Sequence, residues 1–469
     1  MSWRFPMPHL NGAAFRLIVM TAATAAALSG QQPLTLAAAV RYALEHSPKL
    51  AAARTETARR DALAAAARAP LLPQADLAGS ATVSRFDRGY PAGAPPSLLR
   101  FDQSLFTGGA DLRWLVWDFR KTQLELAAAR ERIEAARALE DRRRQEIVFD
   151  TAKAFLEALA YQDLTAAAEA RIRSLESLLD RTEKLVDGGR AVPADALKVR
   201  TRLAQMESDL AALQAARQTA LAALAAEMGY DGQQLPPLAD APTLQTPEPG
   251  PAQPEEDVLR QAAEGRPELR ALDHEIRSAE RIATAARRAL LPRVDVRASA
   301  TGMVSATPLG FGQMLARVMP ALAGAPASPG NGVADWSLGA QITFPLFDGG
   351  RRRAQIREAQ STLELARLER QQTQLRIQRE VRTAAANLAS ASARVAALRD
   401  SVAESERVLR DERLKFEAGR SVINFVLDAE SALLMNQSLL SQARRSVLIA
   451  ELALELSAGR LDAGKLPGQ

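Results

Sequence analysis

The chain has 469 residues, with 60 Lys and Arg against 55 Asp and Glu, three histidines and no cysteine. A formal charge of +5, spread as alternating signs along helical stretches, speaks against a nucleic-acid groove and for a solvated coiled-coil surface. The missing cysteines exclude disulfides and thiolate metal sites, and a composition dominated by Ala, Leu, Arg and Glu with only 4% aromatics fits long helices better than two or three ordinary domains.

At the N-terminus Arg4 and Arg16 precede an apolar run from Leu17 to Leu28 that closes on Ala27-Leu28-Ser29-Gly30. That order predicts a secretory signal peptide over residues 1–30, with a disordered apolar tail as the alternative. No cysteine follows it, which rules out a lipid anchor there, and no other apolar run approaches the ~20 residues of a membrane helix. An exported chain of this kind meets a membrane only through strands.

From Leu34 to Ala69 the pattern is helical, broken at Ser47-Pro48 and stopped by Pro70 and Pro73. A strand is expected over 75–85, where Leu77, Gly79, Ala81 and Val83 share a face, then a Pro/Gly-rich loop over 85–107. A second strand is expected over 110–119, with Leu112, Trp114 and Val116 on one face. Arg120 to Val186 is again helical, with Ile172, Leu175, Leu179, Thr182 and Val186 at 3/4 spacing. A tip over about 187–192, Asp187-Gly188-Gly189-Arg190, ends it. Pro193 suits the first turn of the next helix, which runs to Met228, and residues 230–255 read as a Pro-rich linker.

The plan then repeats. Glu256 to Leu291 is helical with a break at Gly265-Arg266-Pro267. Strands are expected over 293–303 and 336–346, with a long loop over about 303–335 between them. After Phe344-Pro345-Leu346-Phe347-Asp348-Gly349-Gly350, a helix without Pro or Gly carries Val381, Leu388, Val395, Val402, Leu409 and Phe416 at intervals of seven. A tip over 418–421 reverses it, and Val426, Leu433, Leu440, Val447 and Leu454 continue a register of seven. Sustained sevens predict a left-handed antiparallel coiled-coil hairpin, whose long arm would reach about 100 Å. Residues 31–229 and 256–459 are thus two structural repeats, followed by a tail over 460–469. Each reads short helix, strand, loop, strand, long helix, turn, shorter helix, and the two shorter helices of a half add up to the length of its long one.

The expected fold is mainly α with β, and its four strands have the length that crosses a bilayer when tilted. A soluble sandwich would alternate similarly. Four strands cannot close a barrel, and an open edge is not tolerated in lipid. Three copies would supply twelve strands, so a homotrimer is the simplest oligomer.

The duplicated plan, Phe344-Pro345-Leu346-Phe347-Asp348-Gly349-Gly350-Arg351-Arg352, and the turns Gly189-Arg190…Pro193-Ala194-Asp195 and Phe416-Glu417-Ala418-Gly419-Arg420…Val426-Leu427-Asp428-Ala429 resemble the TolC-like outer-membrane efflux and secretion channels. The resemblance covers about Leu34 to Gly459. It implies a trimeric twelve-stranded barrel in the lipid of a Gram-negative outer membrane, continued by an α-helical tunnel through the periplasm. It also implies a periplasmic adaptor protein and an inner-membrane pump of the RND, ABC or MFS type. The tips Gly189-Arg190 and Gly419-Arg420 match the family's adaptor-docking and closing positions, with glycines that only cap the helices as the alternative. Asp428 matches one acidic aperture position, Phe425 stands where some members carry a second, and Phe416 and Ser421 stand where some carry an aromatic hydroxyl and a base. Asp195 matches the carboxylate those two groups would hold, so the polar latch of those relatives is missing. The resemblance therefore implies an aperture of Asp428, Phe425, Asp195 and Phe416, partly hydrophobic, although Asp428 as a solvated helix residue is the alternative. Trp114, Trp117 and Trp336 are candidates for interfacial aromatics, with core positions as the alternative.

Other chemistry does not emerge. Gly459 to Lys465 has phosphate-loop spacing, but Leu466 stands where Ser or Thr should be and no helix can follow. His9, His46 and His274 form no ligand cluster. A soluble coiled-coil scaffold is the competing reading, and an exported enzyme with coiled-coil arms lacks a candidate site.

Overall fold

The computed structural model describes residues 33–87, 100–189, 191–232, 235–239, 254–306, 333–418 and 420–466. The expected signal peptide, Arg190, Gly419 and much of the expected linker and loops lie outside these residues. The elements run α1 (Leu36–His46), α2 (Pro48–Arg68), β1 (Gln74–Asp87), β2 (Arg100–Trp117), α3 (Lys121–Asp187), α4 (Pro193–Met228), α5 (Glu255–Gly265), α6 (Pro267–Arg288), β3 (Arg293–Ala306), β4 (Val333–Thr343), α7 (Arg351–Glu417) and α8 (Ile423–Ser457). Both halves carry the same order. The long helices α3 and α7 have 67 residues each, and α4 and α8 have 36 and 35. The chain divides into two compact units that cut across the repeats. One takes the residues up to Glu56 with Arg137–Ala271 and Arg370 onward; the other takes Thr57–Ala136 and Leu272–Glu369.

In the first unit the sevens sort into antiparallel register, as a coiled-coil hairpin requires. Val381 shares a cluster with Leu454. Leu388, Val395 and Val402 lie with Leu440 and Val447. Leu409 and Phe416 lie with Val426 and Leu433. A larger core joins Val40 and Ala43 of α1, Phe155 and Leu159 of α3, Leu224 and Met228 of α4 and Leu448 of α8. Two segments expected to be loose belong to it. Leu238 of the linker is buried, with Leu34 donating its N–H to Pro237 O at 2.8 Å, and Leu461 and Leu466 of the expected tail are buried too. Single apolar residues among prolines carry no period, so neither was legible.

Each half also has a helix joint. At the end of α4, Gly229 takes φ +68°, and a Cβ there would stand 2.9 Å from His46 O, where α1 gives way to α2. At the end of α8, Gly459 takes φ +72°, and its Cβ would stand 3.0 Å from the Gly265-Arg266 backbone between α5 and α6. Arg266 is fully buried there and donates to Ser457 O at 2.9 Å, to Glu268 at 3.0 Å and to Glu380. Both glycines combine left-handed backbone with close approach. Gly229→Ala and Gly459→Ala are each expected to cost more than about 1 kcal/mol. Circular dichroism melts would register this, and unchanged midpoints would refute it.

In the second unit the strands form one antiparallel sheet in the order β1-β2-β3-β4. The β1-β2 and β3-β4 pairs of the two halves are joined through β2 and β3. β1, β2 and β3 are longer than expected, at 14, 18 and 14 residues, and β2 begins inside the stretch taken as loop. Gly108 and Gly109 lie just before the expected strand, yet Gly79, Gly108 and Gly302 are register partners and the ladder runs through them. At its other end β2 stops at Trp117. Phe119 and Arg120 take φ 55° and 64°, matching Gly349 and Gly350 at 66° and 89° before α7. Asp118 and Asp348 cap these turns, accepting from Thr122 N at 2.8 Å and Arg352 N at 3.1 Å. The first copy has no glycine, so its turn passed for strand. β4 likewise ends at Thr343, short of Pro345, which cannot donate to a ladder.

Candidate functional site

The sheet is one candidate. Register rows put Leu77, Ala110, Ala300 and Trp336 together, then Ala75, Leu112, Ala298 and Leu338, then Trp114, Val296 and Ala340. Across a bulge, Trp117, Val294 and Ile342 extend the same face. The opposite face carries Gln74, Arg113 and Arg297, then Asp76, Asp111, Ser299 and Ser337. Its polar groups pair with one another: Ser80 Oγ with Thr107 Oγ1 at 2.7 Å, Ser299 Oγ with Ser337 Oγ at 2.8 Å, and Arg293 with Asp295 at 2.7 Å. Both faces of the sheet are exposed, the apolar one included. Leu77 is 89% exposed, Trp336 80% and Leu338 67%. β1 pairs only with β2 and β4 only with β3, so among the described residues both outer edges are open. Trp117 opposes Val294 and Trp336 opposes Ala300, which sets them about 20 Å apart along β3.

The helical tips are the second candidate. At the first, Gly189 takes φ +69°, the left-handed backbone that reversal after α3 requires, and donates to Val186 O at 2.9 Å. α4 then begins with Val192 in extended backbone, Pro193 in its first turn and Asp195 as first-turn acid. At the second tip, Arg420 is exposed and donates its backbone N–H to Lys415 O at 2.8 Å. α8 begins on an extended Val422 in the same way. Val192 and Val422 are exposed at the two starts.

The predicted aperture residues fall into two kinds. Phe425 and Asp428 are both exposed, three apart on α8, and so form one stripe of the helix surface. Phe416 is half-buried against the cluster of Leu409, Val426 and Leu175, and so belongs to the hairpin's packing. Asp195 is half-buried and takes Lys198 Nζ at 3.5 Å from its own helix. Ser421 donates to Glu412 at 3.0 Å, and Glu412 also accepts from Lys415 at 2.8 Å. These hydrogen bonds hold the Glu412 carboxyl below its ordinary range.

Sequence reasoning missed a buried ionic cluster that ties the first hairpin to the second. Glu430 of α8 and Arg171 of α3 form an ion pair with side chains only 4% and 6% exposed. Glu430 also accepts from Ser174 of α3 at 2.9 Å and from Arg413 of α7 at 3.2 Å. Further along the same helices, Arg445 donates to Asp163 at 2.8 Å. Burial, together with the charges of Arg202 and Arg413, pushes the Arg171 guanidinium down to about 10, so it stays charged at neutral pH.

Among the described residues, no group of His, Asp or Glu is placed to hold a metal ion. Among the described residues, no helix is long and apolar enough to cross a membrane either. His46 Nδ1 lies 3.1 Å from Tyr42 O and His274 Nδ1 lies 2.8 Å from Glu131.

The outer membrane efflux protein family matches residues 39–230 and 258–460. The outer membrane efflux protein BepC of Brucella suis biovar 1 (strain 1330) is 25% identical over 441 residues, covering 94% of this chain and 89% of that one. A structure of CusC superposes with a TM-score of 0.73 at 19% identity, covering 92% of this chain and 96% of that one. The open-state MtrE outer membrane channel of Neisseria gonorrhoeae gives a TM-score of 0.68 at 23% identity, with 91% and 90% covered.

Proposed function

Because the chain belongs to the outer membrane efflux protein family and is an outer-membrane exit duct with a periplasmic portion, we propose how its own residues build that duct. Three copies join β4 of one subunit to β1 of the next, which closes twelve strands and leaves no backbone group unpaired in lipid. The observation that carries this is the bare apolar face of a sheet with two open edges. Leu77, Leu338 and Ile342 face lipid, Trp114, Trp117 and Trp336 serve as interfacial aromatics, and Arg113, Asp76 and Arg297 face water inside. A soluble scaffold would have no use for such a face. Native mass measurement in nonionic detergent is expected to give a trimer with a heat-modifiable β signal. A lone subunit without that signal would refute it.

The tips Gly189-Arg190 and Gly419-Arg420 receive a periplasmic adaptor, and an inner-membrane pump supplies the driving force. Residues 1–30 direct export and are removed, and the two halves of the chain, 31–229 and 256–459, act as structural repeats. Asp428 and Phe425 line the aperture, three carboxylates forming an acidic ring above an apolar constriction, with Asp195 and Phe416 setting the hairpins behind them. Such a ring concentrates cations. Asp428→Ala is expected to lower cation selectivity and divalent-cation block in single-channel recordings, and unchanged selectivity would remove the ring.

A further inference from the structure

Between α3, α4 and α8 of the first unit lies a cavity of roughly 350 Å³, within the range of small-ligand pockets. Its charged end is built by Arg171 and Arg202, and Met206, Leu434 and Met435 supply its apolar wall. The cationic end is under-neutralised. Arg171 and Arg413 share the single carboxylate of Glu430, and the Nη2 of Arg171 is buried without a hydrogen-bond partner. Arg202 rests on neutral acceptors only, Ser431 Oγ at 2.5 Å and Gln205 Oε1 at 3.2 Å. Among the described residues it has no carboxylate partner. Asp209, the one acid of the lining, is exposed and lies seven residues, or about two turns, along α4 from Arg202.

A guanidinium end with an apolar wall selects for charge and for hydrocarbon together. Guanidinium groups bind carboxylate, sulfonate and phosphate oxygens in charge-assisted pairs, and a hydrated inorganic ion would leave the methionine and leucine wall unused. We propose that the cavity binds a small amphipathic anion, its head on Arg202 and Arg171 and its apolar body along Met206, Leu434 and Met435. Arg171 and Arg202 belong to the first hairpin and Leu434 and Met435 to the second, so the ligand bridges the two. Binding favours the packed arrangement of the hairpins over any arrangement that separates them. That consequence for the duct rests on the reading of the tips as its aperture; the binding itself does not.

The test is isothermal titration of octane-1-sulfonate, below its micellar concentration, into the purified full-length protein in nonionic detergent. Octyltrimethylammonium, with the same tail and opposite charge, is the comparison, and empty micelles give the baseline. One saturable site per chain is expected for the sulfonate and none for the ammonium. Arg202→Gln, which removes the charge, and Met206→Trp, which fills the cavity while keeping both arginines, are each expected to weaken binding at least tenfold. Equal binding of the two amphiphiles, or wild-type binding in both variants, would mean micelle partitioning and overturn the site. Single-channel conductance of the same preparations separates the outcomes. Normal conductance without sulfonate binding sinks the site alone, whereas absent conductance strikes at the duct.

Discussion

Glu430→Ala is expected to destabilise the helical hairpins by about 3–5 kcal/mol, the cost of removing one partner from a buried ion pair. The Glu430 side chain is 4% exposed and holds Arg171, Arg413 and Ser174. Its loss leaves the guanidinium of Arg171, itself 6% exposed, with no carboxylate. Thermal unfolding followed at the helical signal is the measurement. Replacing both partners, Glu430→Met with Arg171→Met, should recover much of the loss, since a well-packed apolar pair costs nothing in desolvation. By contrast, Asp180→Ala breaks the pair with Lys184, whose side chains are 61% and 72% exposed, and should change stability by less than about 1 kcal/mol. Glu430 joins α3 of one hairpin to α7 and α8 of the other, so Glu430→Ala should also raise single-channel conductance. A melt no lower than that of the Asp180 variant would show that the cluster does not hold the hairpins.

The coiled coils were legible because their signal is periodic. Val395, Leu440 and Val447 announce their facing positions by spacing, and the structure packs them together. The turns at Gly189 and Gly349 were legible because positive φ favours glycine. Phe119 and Arg120 adopt the same backbone without glycine, at a cost of about 1–2 kcal/mol each, and that turn was missed. The strand faces were visible from alternation, but not the lengths, because glycines that weaken a single strand can be matched across several. The buried charges were hidden by number: in a chain that is 25% charged, one more Glu on a helix reads as surface. A signal did exist. Glu430 stands four residues after Val426 and three before Leu433, and Arg171 stands four before Leu175, each within an apolar stripe. The joints at Gly229 and Gly459 depend on residues far away in sequence, Pro48 and Arg266, and no local pattern reports them.

The strand faces support the second large prediction. Leu338 and Ser337 are neighbours on β4, both exposed, on opposite faces of the sheet. In a water-soluble protein, Leu338→Arg would be harmless or favourable, since a side chain 67% exposed loses little by becoming charged. In a barrel the sign reverses. An arginine on the lipid face costs about 2–4 kcal/mol near the bilayer midplane, and a trimer meets that cost roughly three times. Ser337→Arg points to the water-filled interior and should be tolerated. Leu338→Arg is therefore expected to abolish the heat-modifiable assembled species in outer-membrane fractions, while Ser337→Arg leaves it near wild-type yield. Trp336→Arg, on the same face but at the interfacial level, should cost only about 0–1 kcal/mol per chain and lower the yield less than Leu338→Arg. The comparison is internal: Leu338→Arg and Ser337→Arg add the same charge at adjacent residues of one strand, so net charge, export and expression are held constant. Only the face differs, and only a lipid contact makes the face matter; equal yields from Leu338→Arg and Ser337→Arg would mean that the apolar face does not meet lipid.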